Sequence, residues 1–504
     1  MSEMKRRDFL KTAAVAGIGA LAAPMIGSAF AQAPARKPNV LIIYTDDHPK
    51  SLFGCYGGQK TPHIDKIAEE GVRFERFYVS TGLCAPSRYG LQNARFASAS
   101  ASNQRLFPAG TMSNMSQQLG DEHNRPPKAF TLPTCMRTAG YKTGIVGKYH
   151  QGFMGERMIS PTKHGIMDLP IDDPKVVEVL KHNFTLAQES AHAGGYDYAE
   201  ALYHDNIQPD NFPKCAQFHN MEWITWKACQ FMEANKDKPF LLVVNPTLVH
   251  WRQANDPDYN SLKADRRITG VGLVEGIPED IQPSRESVLK RAEEMGAADN
   301  PKSFGPDAIW LDDAVGALTK KVADLGLDDH TIVMVISDNG TSGKWSCAEG
   351  GVNTGAVMRW KGKIPAGIVS EALVQNVDIA PTLFEIAGAK LAPEFKIHGV
   401  SQADVLLGKK EKIRDSVYVE IGYQKAVVRD DGIKYVTVRY PEEIMKDIRE
   451  NETIYNLSGV KQKKGSNPPF DALYDLKKAG ESKNFADAPA YAEALKEMKV
   501  LMTR

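Results

Sequence analysis

The chain of 504 residues carries 62 Lys+Arg against 62 Asp+Glu, with 42% hydrophobic and 25% charged residues. This is a globular composition, which excludes a disordered or fibrous chain, and the balanced charge argues against a dedicated nucleic-acid binder. Six cysteines are too few for a disulfide scaffold, and their spacing contains no C-x-x-C, which sets aside zinc-ribbon and thioredoxin readings.

Residues 1–31 read as a twin-arginine export signal. Arg6-Arg7-Asp8-Phe9-Leu10-Lys11 is followed by a weakly apolar Ala/Gly-rich run from Thr12 to Ile26, and cleavage is expected after Ala31 or Ala33. The run is shorter than the ~20 residues of a membrane span. The expectation is therefore a bacterial periplasmic or secreted protein that uses the twin-arginine translocase and has no stable membrane insertion after processing. The signal holds four cations and two anions through Ala31, so the mature balance is −2. Local cations, not global charge, must then attract any anionic ligand.

Beyond the signal, Asn39–Tyr44 is a continuous apolar, β-branched run of the kind buried on both faces of a parallel sheet. It ends in Asp46-Asp47. A helix is predicted from Pro62, with Thr61 as N-cap and Gly71 at the stop. Three further strands follow: Tyr141–Val146 runs into Lys148 and His150, Pro239–Val244 precedes His250, and Thr331–Ile336 runs into Asp338-Asn339. Helical patterns cover Trp223–Asn235 and Ile309–Leu325. Strands alternating with helices predict an α/β fold with a largely parallel central sheet flanked by helices. Residues 151–222 and 252–308 show little periodicity and read as long excursions that build a substrate cleft. After Gly399 the texture changes to short strands at Val417–Glu420, Lys425–Arg429 and Lys434–Val438, with a turn at Asp431-Gly432 and a closing helix over Pro489–Met502. This predicts a catalytic domain over 37–399 and a smaller C-terminal α+β subdomain with an antiparallel sheet over 400–504.

In open α/β sheets, ligands sit beyond the carboxyl ends of the strands. Asp46/Asp47, Lys148/His150, His250 and Asp338/Asn339 occupy four such ends. Each alone reads as a loop or turn. Together, three carboxylates and an amide oxygen suit a hard cation such as Ca²⁺, with Mg²⁺ as the alternative. Without one, the carboxylates would repel and raise each other's pKa.

Leu83-Cys84-Ala85-Pro86-Ser87-Arg88 resembles the C-x-P-S-R signature of the type I, formylglycine-dependent sulfatases of the alkaline phosphatase superfamily. The likeness extends along nearly the whole mature chain. Asn39–Asp47, Cys55-Tyr56-Gly57 and Thr61–Asp65 resemble the family's opening, and Gly147–His150 is similar to its G-K-W-H. Lys344 precedes Glu349-Gly350-Gly351, and Asp378–Leu383 resembles D-I-x-P-T-L. His398-Gly399 and Ala472–Leu476 match later landmarks.

The resemblance implies that Cys84 is oxidised by a formylglycine-generating maturase. The resulting aldehyde hydrate attacks sulfur, and its second hydroxyl lets sulfate leave without hydrolysis of a stable ester. It further implies that Asp46, Asp47, Asp338 and Asn339 hold the metal beside residue 84. Arg88 holds the hydrate, Lys148 neutralises sulfate, and His150 accepts a proton. His250, as general acid, and Lys344 bind sulfate and assist the leaving group. Trp251, Arg252, Trp345 and His204 are candidate contacts to the rest of a sulfated carbohydrate or aryl sulfate.

Several positions depart from the family's pattern. Leu91–Arg95 replaces the usual L-T-G-R ending, Asn353 stands at the arginine of E-G-G-x-R, and the surroundings of His250 and Lys344 differ. Two alternatives stay open: a phosphonate monoester or phosphodiester hydrolase with the same nucleophile, and a non-catalytic, metal-dependent sugar-binding protein with an unmodified Cys84.

Overall fold

The computed structural model describes residues 36–101, 103, 131–151, 157–250, 261–296, 305–391, 393–457 and 459–503. The twin-arginine segment, Trp251 and Arg252 lie outside the described residues. Every residue of β1 (Asn39–Thr45) is buried. Successive strand residues face opposite sides, so Val40, Ile42 and Tyr44 enter one hydrophobic core and Leu41 and Ile43 the other. This two-sided burial makes β1 a central strand.

It is joined by β2 (Val72–Phe74), β3 (Lys142–Lys148), β4 (Tyr198–Tyr203), β5 (Phe240–Asn245), β6 (Thr331–Ser337), β7 (Ala356–Arg359) and β8 (Ile368–Ser370). The eight form one sheet in the order β8-β2-β7-β6-β1-β5-β3-β4. From β6 to β4 all neighbours are parallel, whereas β7 runs antiparallel to β2 and β6. Helices α1 (Pro62–Glu69), α2 (Cys84–Asn93), α3 (Pro174–Ala193), α4 (Met221–Ala234), α5 (Arg285–Glu294) and α6 (Gly305–Asp324) pack around this sheet, followed by α7 (Glu349–Val352) and α8 (Ile379–Ala387).

Two readings need correction. Residues 151–222 are not one irregular excursion: they hold the 20-residue α3 and the edge strand β4. Likewise, 252–308 includes α5. At α1, Thr61 precedes the helix as expected, but its side chain does not cap it. Asp312 of α6 does so instead, accepting from the His63 and Ile64 N–H groups at 3.1 and 2.8 Å.

The C-terminal part forms a second sheet of four antiparallel strands, β9 (Ser416–Ile421), β10 (Gln424–Arg429), β11 (Ile433–Val438) and β12 (Asp471–Asp475). One face, with Val427, Ile433, Tyr435 and Leu473, packs with Met498 of α9 (Ala492–Leu501). The other, with Val417, Val419, Ala426, Val428 and Val436, joins the core on one side of the large sheet. The six cysteines are all free.

Candidate active site

Register places the site. Thr45 of β1 lies opposite Ser337 of β6, so Asp46 and Asp338 leave adjacent strands at one level. On the other side of β1, β5 and β3 end together, with Gly147 opposite Asn245. A bulge at Val146/Gly147 shifts the register of β3 against β4. Gly147 has φ 88°, and a Cβ there would meet the Asn245 carbonyl oxygen at 1.9 Å. Only glycine lets β3 make this approach, and the extra residue of the bulge is Ala201 of β4, with φ 49°.

The ten residues of α2 are all buried. Pro86 sits in its first turn, where no intrahelical N–H is lost. Cys84 and Arg88, four apart, share one helix face. Ser87 fixes the rotation of the helix: its hydroxyl lies 2.8 Å from the Tyr44 hydroxyl, and Asn376 Nδ2 donates to both its oxygens at 2.9 and 3.0 Å. The C-x-P-S-R segment is thus bolted to β1 and to the lead-in of α8.

Lys148 Nζ donates to Asp46 Oδ2 at 2.6 Å. Arg88 Nη2 lies 2.8 Å from Asp338 Oδ2 and 3.6 Å from Asp46 Oδ1. The Asp47 N–H donates to Asp338 Oδ1 at 3.0 Å, and Asn339 Nδ2 to Asp47 Oδ1 at 2.6 Å. After β5 the chain returns to β1, where Asp46 N–H donates to Leu248 O and Val249 N–H to Asp46 O. This brings His250 Nε2 to 3.7 Å from Asp47 Oδ2. Lys344 Nζ donates to the same oxygen at 2.6 Å and lies 3.4 Å from His250 Nε2. Ten expected site residues thus converge: Asp46, Asp47, Cys84, Arg88, Lys148, His150, His250, Asp338, Asn339 and Lys344.

Exposure is graded along the site. Asp46, Arg88, Lys148 and Asp338 are at most 3% exposed in their side chains, whereas His250 and Lys344 reach 12% and 18%. Those two therefore form the mouth. Trp345, next in chain, is 52% exposed. His204 is placed differently: its ring is buried and stacked on Phe212, with centroids 4.5 Å apart.

Electrostatics divide the carboxylates. Burial works to raise Asp46, but Lys148, Arg88 and Lys344 outweigh it and hold the group far below the usual range. Burial pushes Asp338 well up; Arg88 opposes this and the Asp46 charge reinforces it. Burial also disfavours a Cys84 thiolate, yet Lys148 and His150 bring the thiol down to about 7. His250 is held down to about 4, chiefly by burial.

Asp46 Oδ1 and Asn339 Oδ1 are buried oxygens without a hydrogen-bond partner, Asp338 Oδ2 has the Arg88 ion pair but no hydrogen bond, and the Nε and Nη1 donors of Arg88 are likewise without an acceptor. Ligand atoms of Asp46, Cys84 and Asp338 lie within 4.8 Å of one another, as do those of Asp46, Asp47 and His250. This donor set fits a hard divalent cation beside an anion.

One member was missed from the sequence. Asp205 Oδ1 lies 2.9 Å from His150 Nε2, with both side chains buried. Its signal was present: His204-Asp205 follows β4, one more strand end on the same edge of the sheet.

A family model described as Sulfatase matches residues 38–389, and the chain belongs to the sulfatase family, of the alkaline phosphatase superfamily. Sulfuric ester hydrolysis is its activity. A second model, described as N-sulphoglucosamine sulphohydrolase, C-terminal, matches residues 344–441. The chain is similar to Arylsulfatase A of Homo sapiens, 25% identical over 520 residues, covering 96% of this chain and 91% of that one. Its fold is similar to that of a Bacteroides thetaiotaomicron protein solved in a study of glycosaminoglycan metabolism, with TM-score 0.63, 19% identity and coverage of 93% and 99%. A second similar fold is that of a protein solved with its substrate D-glucosamine-2-N,6-O-disulfate, with TM-score 0.58, 20% identity and coverage of 93% and 97%.

Proposed function

We propose that the chain is an exported, formylglycine-dependent sulfatase acting on sulfated carbohydrate or aryl sulfate esters. The catalytic part spans 37–399 and the C-terminal subdomain 400–504. The observation that carries this reading is the meeting of Cys84, Asp46 and Asp338 within 4.8 Å, with Arg88 one helical turn on. A fold relative bound to a disulfated glucosamine supports a sulfated sugar as the substrate class.

Asp46, Asp47, Asp338 and Asn339 would hold the cation, Ca²⁺ or else Mg²⁺. Bound there, it offsets the clustered carboxylates and draws sulfate oxygens to the site, while formylglycine at position 84 supplies an oxygen nucleophile in place of the thiol. This chain's own groups do the rest. Arg88 has buried Nε and Nη1 donors without a partner and would offer them to the oxygens of residue 84. Lys148, charged and buried, faces the sulfate and the nucleophile. His150, oriented by Asp205, receives a proton from residue 84.

At the mouth, His250 and Lys344 flank the ester oxygen. His250 is neutral at rest and Lys344 is protonated, its pKa raised by Asp47 against the effect of burial. An incoming sulfate anion beside His250 favours its imidazolium, which then donates to the leaving alkoxide. Trp345, exposed next to Lys344, offers a face to the sugar or aryl ring.

Mass spectrometry of the peptide containing Cys84, after co-expression with a maturase, tests the reading together with sulfate release from a panel of sulfated sugars and aryl sulfates. Formylglycine and turnover are expected. A retained thiol with no turnover would sink it.

A further inference from the structure

The side chain of Lys434, the second residue of β11, has no solvent exposure. Strand alternation explains where it points. It shares a face with Val436, which joins the core of the catalytic part, and lies opposite in facing to Ile433 and Tyr435, which pack with α9. Its ammonium has three donors and three acceptors around it: the Cys347 carbonyl at 2.6 Å, Glu349 Oε1 at 2.8 Å and Glu481 Oε1 at 2.9 Å.

Both carboxylates are tied further. Glu349 Oε2 accepts from the Tyr78 hydroxyl at 2.9 Å and from Asn353 Nδ2 at 3.1 Å. Glu481 Oε2 accepts from the Glu349 N–H at 2.8 Å, at the start of α7. Asn353 stands where the E-G-G-x-R pattern carries a cation. Here the cation facing Glu349 comes from Lys434 of the C-terminal sheet.

The same sheet grips Cys347 twice. Lys434 takes its carbonyl, and Gln424 Oε1 of β10 accepts from its N–H at 2.7 Å. Cys347 is three residues after Lys344. Between Lys344 and Cys347, the Trp345 N–H donates to Gly82 O at 3.0 Å, two residues before Cys84. Gly343 and Trp345 have φ of 93° and 69°, so the segment is a tight turn whose shape depends on its anchors. The 2.6 Å contact of Lys344 with Asp47 sits at the tip of that turn.

We propose that Lys434 and Gln424 are positioning residues for Lys344: the C-terminal sheet, by clamping both sides of Cys347, sets the cation at the mouth of the active site. The proposal rests on the reading of Lys344 as a sulfate-binding group.

The test is a set of double-mutant cycles on the maturase-converted enzyme with a chromogenic aryl sulfate as probe. K344A, K434M and Q424A are each expected to lower kcat/KM, the latter two by about tenfold, within the coupling range of contacting residues. In the K344A background, K434M and Q424A should cost less than about twofold, because the group they position is gone. K434R should recover most of the K434M loss. Hydrogen exchange of the 343–348 peptide should speed up in Q424A while the strands of the large sheet keep parental rates. Destabilisation without positioning would make the losses multiply with that of K344A, and that result overturns the proposal. If K434M does not fold, Q424A, which changes no charge, decides alone. If K344A itself leaves kcat/KM unchanged, the reading of Lys344 is wrong and the proposal falls with it; multiplying losses beside a defective K344A would sink only the proposal.

Discussion

His150 Nε2 lies 2.9 Å from Asp205 Oδ1, an ion pair buried behind the nucleophile position. Burial works to lower His150, but Asp205 and a Cys84 thiolate outweigh it and raise the group to about 9. Asp205→Asn should lower kcat by about 10–100-fold, part of the ~10²–10⁴ that acid–base catalysis contributes. A base must be neutral to accept a proton, so the acid limb of the kcat profile should move to lower pH in the variant. The stability effect has a defined window. The pair's contribution is complete below the ordinary histidine value near 6.5 and fades as pH rises through about 9. The stability gap between parent and variant should therefore narrow toward alkaline pH. An unmoved acid limb would show that Asp205 does not tune His150.

Cation binding should release a proton. Burial and the Asp46 charge push Asp338 up from the usual carboxylate range, with Arg88 opposing, so a divalent ion held by this carboxylate would favour its charged form. Calorimetry of Ca²⁺ binding to chelator-treated protein, in two buffers of different ionisation enthalpy, should report net proton release. D338N should abolish the release, and Ca²⁺ should restore the activity that the chelator removes. Heats independent of buffer would contradict this account.

The role of His250 predicts a dependence on the leaving group. A sugar alkoxide needs a proton far more than a nitrophenolate does. H250A should lose about 10²–10⁴ on a sugar sulfate and distinctly less on the activated aryl ester. Equal losses on both would assign His250 to binding rather than proton donation.

Asp312→Ala tests the cross-helix cap of α1. It removes the acceptor for the His63 and Ile64 N–H groups and should destabilise the protein by about 1 kcal/mol. Urea unfolding should show a lower midpoint, with turnover per folded molecule unchanged.

The parts legible in the sequence were those where one pattern had one cause. Strands buried on both faces, such as Asn39–Thr45 and Thr331–Ser337, contain little but apolar residues, so their ends and the polar groups beyond them stood out. The C-terminal hairpin was legible from its alternation and from Asp431-Gly432. The helix over Pro174–Ala193 was hidden because two polar residues, Asn183 and Ser190, sit on its buried face and blur the period. Its start signal, Asp173 before Pro174, was present, and the Asp173 side chain does cap the Lys175 N–H at 2.8 Å. The strand Tyr198–Tyr203 lies at the sheet edge, with alternate residues half-exposed near its start, and so lacks the apolar run of its neighbours. Missing that strand hid Asp205, whose partner lies 55 residues earlier in the chain.

The complete burial of α2 sets a deadline. Cys84 is 2% exposed, and every side chain from it to Asn93 lies inside. On the proposed reading, a second protein would have to reach this thiol before the core closes around it. If residue 84 is converted as proposed, conversion would compete with core closure on each newly made chain, and their relative rates would set the fraction that is chemically competent. Slower closure of α2, as by weakening the Ser87–Tyr44 contact, would then raise that fraction.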